Sequence, residues 1–176
     1  LDDVLGWSYE GIGAFMAAWV IGYGAIQAAA PRLLRRSSAG AHGEVGAART
    51  WALLLAAVSA AIAVVVALDV AVTVTVVAGL FVFGVVFAVN SSLHSYLILA
   101  YSRDDDVSLD VGFYYSANAT GRLVGTLLSG ALYLWGGFDA ALWGSAAFVV
   151  ATSLLTLRLP SLPASAPSAG QAASVG

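Results

Sequence analysis

The chain has 176 residues, 60% of them hydrophobic and 10% charged, with a formal net charge of −3 and a mean hydropathy of +0.90. A soluble domain is nearer half apolar and about a quarter charged, so this composition excludes an ordinary globular fold and implies a polytopic membrane protein. There is no cysteine and only two histidines, His42 and His94, far apart in sequence; neither a disulfide, a thiolate metal site nor a metal cluster is expected, and no basic surface interleaved with aromatics points to nucleic acid.

Five apolar runs occur in order. The first spans about 12–30 and ends at Pro31, where the basic loop PRLLRRSSAGAHGEVGAAR begins. The second spans about 50–68, and Asp69 marks a tight turn. The third, about 70–101, is longer than a perpendicular crossing needs; it predicts a tilt, a kink near Gly79 or Gly84, or an extension beyond the membrane. SRDDDVSLD is the next loop. The fourth run spans 111–135, a short turn at 136–139 comes next, and the fifth spans 140–157. Residues 160–176, rich in Pro, Ala, Ser and Gly, form a tail expected to be disordered. The predicted fold is all-α: a transmembrane bundle of five spans over residues 1–159.

Arginine placement sets the orientation. Arg32, Arg35, Arg36 and Arg49 lie in the first loop, Arg103 in the third, and Arg158 at the start of the tail. Asp2, Asp3, Asp69 and Asp139 lie on the opposite side. By the positive-inside rule the arginine-bearing loops and the C-terminus are cytoplasmic, at the cell (inner) membrane. Five spans with an external N-terminus, opening at Leu1, predict a fragment of a larger protein.

The fourth run holds the most telling residues, in YYSANATGRLVGTLLSG. Arg122 is the only basic residue inside a span, near the midplane, where an arginine costs on the order of 2.5–3.5 kcal/mol. A cavity, a polar partner or an anionic ligand must compensate it. Tyr115, Asn118, Arg122 and Thr126 share one face at helical spacing. Ala117, Gly121, Gly125 and Ser129 recur every four residues beside it, a small-xxx-small ridge for close helix packing. The third run carries Asn90 and His94 one turn apart, with Ser91, Ser92 and Ser95 nearby and Tyr101 further along. The first carries Trp19, Tyr23 and Gln27. These three polar stripes lie at one depth and suggest a common aqueous cavity. Arg122, Asn118, Tyr115, Asn90, His94, Tyr23 and Gln27 are its candidate substrate-binding residues, and His94 the candidate for proton coupling, because imidazole titrates near neutrality. Structural readings stand beside these: Arg122 paired to a carbonyl or carboxylate, His94 as a neutral packing residue, and serines bonded back to their own helices. No triad order, P-loop or HExxH motif appears and no carboxylate lies deep in a span, so no enzyme is expected and no cofactor is implied.

The basic PRLLRR loop is similar to the loop between helices eight and nine of major facilitator transporters, and the five spans then resemble helices eight to twelve. More specifically, WVIGYGAIQAAAPRLL, NSSLHSYLILAY and VGFYYSANATGRLVGTLLSG resemble segments of the organoarsenical efflux permease family, ArsJ. That resemblance implies export of 1-arseno-3-phosphoglycerate, giving arsenate resistance, with a functional link to a glyceraldehyde-3-phosphate dehydrogenase. It also implies that the missing N-terminal half is a partner, alongside the lipid bilayer. Arg122 suits the substrate in kind, since a guanidinium grips oxyanions bidentately. Two alternatives stay open: a major facilitator transporter for a sugar or drug, and a non-transporting membrane interaction protein.

Overall fold

The computed structural model describes residues 6–34, 41–102 and 107–160. Four helices succeed one another: α1 (Tyr9–Leu34), α2 (Ala41–Ala67), α3 (Val72–Tyr101) and α4 (Val107–Thr156). No strand occurs among the described residues. All four helices are long and apolar enough to cross a membrane. The expected count was five, and the difference lies in α4, which is 50 residues long. At roughly 1.5 Å per residue it would extend about 75 Å if straight, against a hydrocarbon core of about 30 Å. It is not regular throughout: Gly136 (φ −142°, ψ 20°) and Gly137 (φ 70°, ψ −159°) leave helical geometry, at the place where a short turn was expected. Its two parts are the 107–135 arm and the 138–156 arm.

The other boundaries track the hydropathy with local differences. α1 runs through Pro31 to Leu34; a proline removes one intrahelical bond but does not by itself end a helix. α2 starts at Ala41, well before its apolar stretch Val45–Ala67. The turn at Asp69 is as tight as expected. Asp69 (φ 55°) and Ala71 (φ 42°) are left-handed, and the Thr75 hydroxyl donates to the Val70 carbonyl at 2.9 Å. α3 is helical without interruption from Val72 to Tyr101, so its glycines do not break it. They are sites of close approach instead: a Cβ on Gly79 would lie 2.7 Å from Cγ1 of Ile62 on α2.

α2 forms the centre. Val45, Ala48, Ala52, Leu55, Ala56, Ser59, Ala63 and Val66 are buried at intervals of three and four, one face of the helix. Half of them are alanine. Between helices in lipid there is no hydrophobic driving force, so attraction comes from close van der Waals packing, which small side chains permit. Ser153 of the 138–156 arm is buried on this face, its Oγ 2.7 Å from the Ala52 carbonyl and 2.8 Å from its own-helix Val149 carbonyl. At the end where α2 begins, Ala30, Val45, Ala48, Val89, Leu93 and Leu97 form a core cluster with Trp51 and Leu159 against it. Two side chains clasp the chain just beyond α4 there: Arg49 Nη2 donates to the Leu159 carbonyl at 2.5 Å and Tyr101 OH to the Pro160 carbonyl at 2.6 Å.

Arg49 and Arg158 therefore belong to one end of the bundle, and Asp69 and Asp139 line a common cavity at the other. Asp2, Asp3, Arg35, Arg36, Arg103 and the tail 161–176 fall outside the described residues, as does the side chain of Arg32.

Candidate functional site

α1 and α3 meet along an aromatic seam. Phe15, Trp19 and Tyr23 of α1 sit one helical turn apart and share a face. Phe15 meets Phe81 edge-on at 6.2 Å between centroids; Tyr23 stacks between Trp19 (5.8 Å) and Phe87 (5.5 Å). A buried indole needs a partner for its N–H. Trp19 Nε1 finds one in the Leu80 carbonyl at 2.7 Å. The ring fits because position 84 is glycine: a Cβ there would lie 3.0–3.1 Å from three indole atoms. Trp19 is thus a packing residue with a defined acceptor, and neither Leu80 nor Gly84 stands out in the sequence as its receptor.

The seam becomes polar towards the arginine-bearing end. Gln27 Nε2 donates to Ser91 Oγ at 3.3 Å, and Ser95 Oγ donates back to the Ser91 carbonyl at 3.0 Å. His94 Nδ1 lies 2.9 Å from the Asn90 carbonyl. A carbonyl oxygen only accepts, so Nδ1 carries the proton and Nε2 is the nitrogen left for other partners. Leu93 and Leu97, buried on either side, hold this stretch of α3 in the core. The Asn90 Oδ1 is buried without a hydrogen-bond partner among the described residues; such an atom carries a desolvation penalty until a donor reaches it. Tyr101, further along the same helix, has its hydroxyl engaged by the clasp.

The 107–135 arm presents a different picture. Tyr115, Asn118, Arg122 and Thr126 are all exposed. Tyr115 touches Tyr114 edge-on at 5.5 Å, and the Thr126 hydroxyl donates to the Arg122 carbonyl at 2.8 Å. Among the described residues the Arg122 guanidinium has neither a hydrogen bond nor an ion pair. No hydrogen bond joins this stripe to Tyr23, Gln27, Asn90 or His94 among the described residues. The structure therefore packs the α1 candidates Tyr23 and Gln27 against Phe87 and Ser91 of α3, next to Asn90 and His94 in the chain, and leaves the Arg122 stripe on its own face.

The small-residue ridge lies on an adjoining face. Gly121, Gly125 and Ser129 line a cleft of about 630 Å³, walled opposite by Gly144, Phe148 and Thr152 of the 138–156 arm and closed by Phe87. A Cβ on Gly121 or Gly125 would meet nothing within 4 Å. Ala117 is exposed. No group of three or more carboxylates and histidines that could hold a metal ion occurs among the described residues.

Helices of this length and apolarity around a core of small residues define a multi-pass membrane protein. The model of the Major Facilitator Superfamily matches residues 1–175. The chain belongs to that superfamily and is a membrane transporter of the major facilitator type. No curated protein and no solved structure matches it.

Proposed function

We propose that this chain is the C-terminal portion, helices eight to twelve, of a secondary transporter that exports an anionic organoarsenical, with Arg122 as the anion contact. In this reading α4 crosses the membrane twice, turning at Gly136 and Gly137, and the bundle has five spans in the cell membrane with a cytoplasmic C-terminus. The observation that carries the reading is the bare Arg122 guanidinium, midway along an apolar arm and exposed. A charge at that depth facing lipid is expensive. Covering it with the remainder of the transporter gives a polar cavity, and a phosphorylated, carboxylate-bearing substrate gives it a bidentate partner. Asn118 and Tyr115 on the same stripe supply further donors. Asn90, His94, Tyr23 and Gln27 form the opposing wall, with His94 as the coupling residue. A glyceraldehyde-3-phosphate dehydrogenase acting on arsenate supplies the substrate.

The test is arsenate resistance in cells that express the full-length transporter and the dehydrogenase. Arg122→Lys keeps the charge but not the fork, so the protein folds and resistance falls. Normal resistance with Arg122→Ala overturns the assignment. Uptake of a sugar or a drug by vesicles, unaffected by Arg122→Ala, would replace it with another major facilitator substrate.

A further inference from the structure

A second cavity, about 340 Å³, lies between α2, α3 and the 138–156 arm. Ile62, Leu80, Phe83, Phe138 and Leu142 are among its walls. Its two hydroxyls make no demand on an occupant: Ser59 donates to the Leu55 carbonyl at 2.9 Å and Ser145 to the Ala141 carbonyl at 2.8 Å. The space is therefore apolar in chemistry as well as in composition. Phe138 also lines another cavity, of about 410 Å³, whose mouth lies at the turn between α2 and α3 and the glycine interruption of α4. Asp69 and Asp139 both line that mouth, and no basic residue does. Neither carboxylate has an ion-pair partner among the described residues. None of the residues assigned to the anion site lines either cavity, so these cavities are independent of that assignment.

We propose that the two cavities form one site for a cationic amphiphile: an amine or quaternary ammonium head at Asp69 and Asp139, and a single apolar chain running past Phe138 into the pocket below. The cavity is the site, and charge selects its occupant. A chain already dissolved in the bilayer gains little by moving into an equally apolar pocket. Preference among amphiphiles of equal chain length must then come from the head. Two carboxylates without a competing cation favour a positive head and repel an anionic one.

The experiment uses the purified protein in a nonionic detergent with dodecyltrimethylammonium, dodecyl sulfate and a zwitterionic dodecyl amphiphile, bound probes being counted by native mass spectrometry. The cationic probe should be retained about three- to tenfold over the other two, the range expected of two solvent-screened ion pairs. Asp69→Asn/Asp139→Asn should abolish that preference. Asparagine tolerates the left-handed backbone at position 69, so the fold is kept. A dodecylammonium carrying a diazirine on its chain should label wild-type protein at Ile62, Phe83 or Leu142, which tests the site without any substitution. Equal retention of all three probes overturns the proposal. So does a preference that survives in the double variant, or labelling confined to α1 and the 107–135 arm.

Discussion

Gly84→Ala tests the α1–α3 seam, because the added methyl has one well-defined neighbour. It would lie 3.0–3.1 Å from Nε1, Cε2 and Cζ2 of Trp19, tighter than ordinary van der Waals contact. A flexible side chain would give way. Trp19 cannot do so freely, since its N–H is committed to Leu80 at 2.7 Å and its face is stacked on Tyr23. Overpacking of this kind costs about 1–3 kcal/mol. Alanine in place of glycine inside a helix returns roughly 0.5–1 kcal/mol. The net expectation is a destabilisation of about 0–2.5 kcal/mol. In a Trp19→Ala background the clashing ring is gone, and Gly84→Ala should become stabilising by roughly 0.5–1 kcal/mol. The pair therefore has a coupling energy of about 1–3 kcal/mol. Thermal unfolding in detergent of the wild type, both single variants and the double variant measures it. The same effect of Gly84→Ala in both backgrounds would refute the seam as described.

Gly137→Ala places a Cβ at φ 70°, ψ −159°, a region that glycine alone adopts readily, and should destabilise by about 1–3 kcal/mol; unchanged thermal stability would mean the interruption of α4 is differently shaped. Gly121→Ala and Gly125→Ala add a methyl where nothing lies within 4 Å, so the amount of folded protein and its melting temperature should hold or rise slightly; a marked fall would mean that the ridge is closely packed in the membrane, as its spacing led us to expect. His94→Gln should abolish transport driven by a pH gradient in vesicles while substrate exchange without a gradient continues. Loss of both activities, or of neither, would remove the coupling role.

Much of the fold is visible in hydropathy because a helix in lipid must be apolar over its whole length, whatever it touches. That is why the runs, the Asp69 turn and the break near Gly136 could be placed. Uniform apolarity also hides which face packs where. The buried face of α2 is set by small residues, Ala48, Ala52 and Ala63 among them, in a helix where nearly every other residue is apolar too. Glycine carries the same ambiguity. Gly79 and Gly84 read as places where α3 could bend, yet both are places where α2 or α1 comes close; only the neighbour decides between the two. In the candidate site, the pairing of Gln27 with Ser91 was within reach of the spacing arguments, since both stripes were assigned the same depth. The isolation of Arg122 was not, because periodicity orders the faces of one helix and says nothing about which helix stands opposite. The clasp by Arg49 was missed because the sequence presents that arginine as one more positive charge in a cytoplasmic loop. An indole N–H deep in a span was the one signal that could have led to the Leu80 carbonyl.

The clasp also bears on which positions can vary. Arg49 and Tyr101 bind the carbonyls of Leu159 and Pro160, and every amino acid offers the same carbonyl. The recognition therefore reads the path of the main chain and is blind to the identity of the residues beyond α4. Pro160 can be exchanged for another residue without removing an acceptor, and Leu159 answers only to the apolar cluster it touches. Arg49 and Tyr101 have no such freedom, since each supplies the donor. Drift in sequence should accordingly fall on one side of these contacts, with the exit of the chain from the bundle kept in place by the two donors.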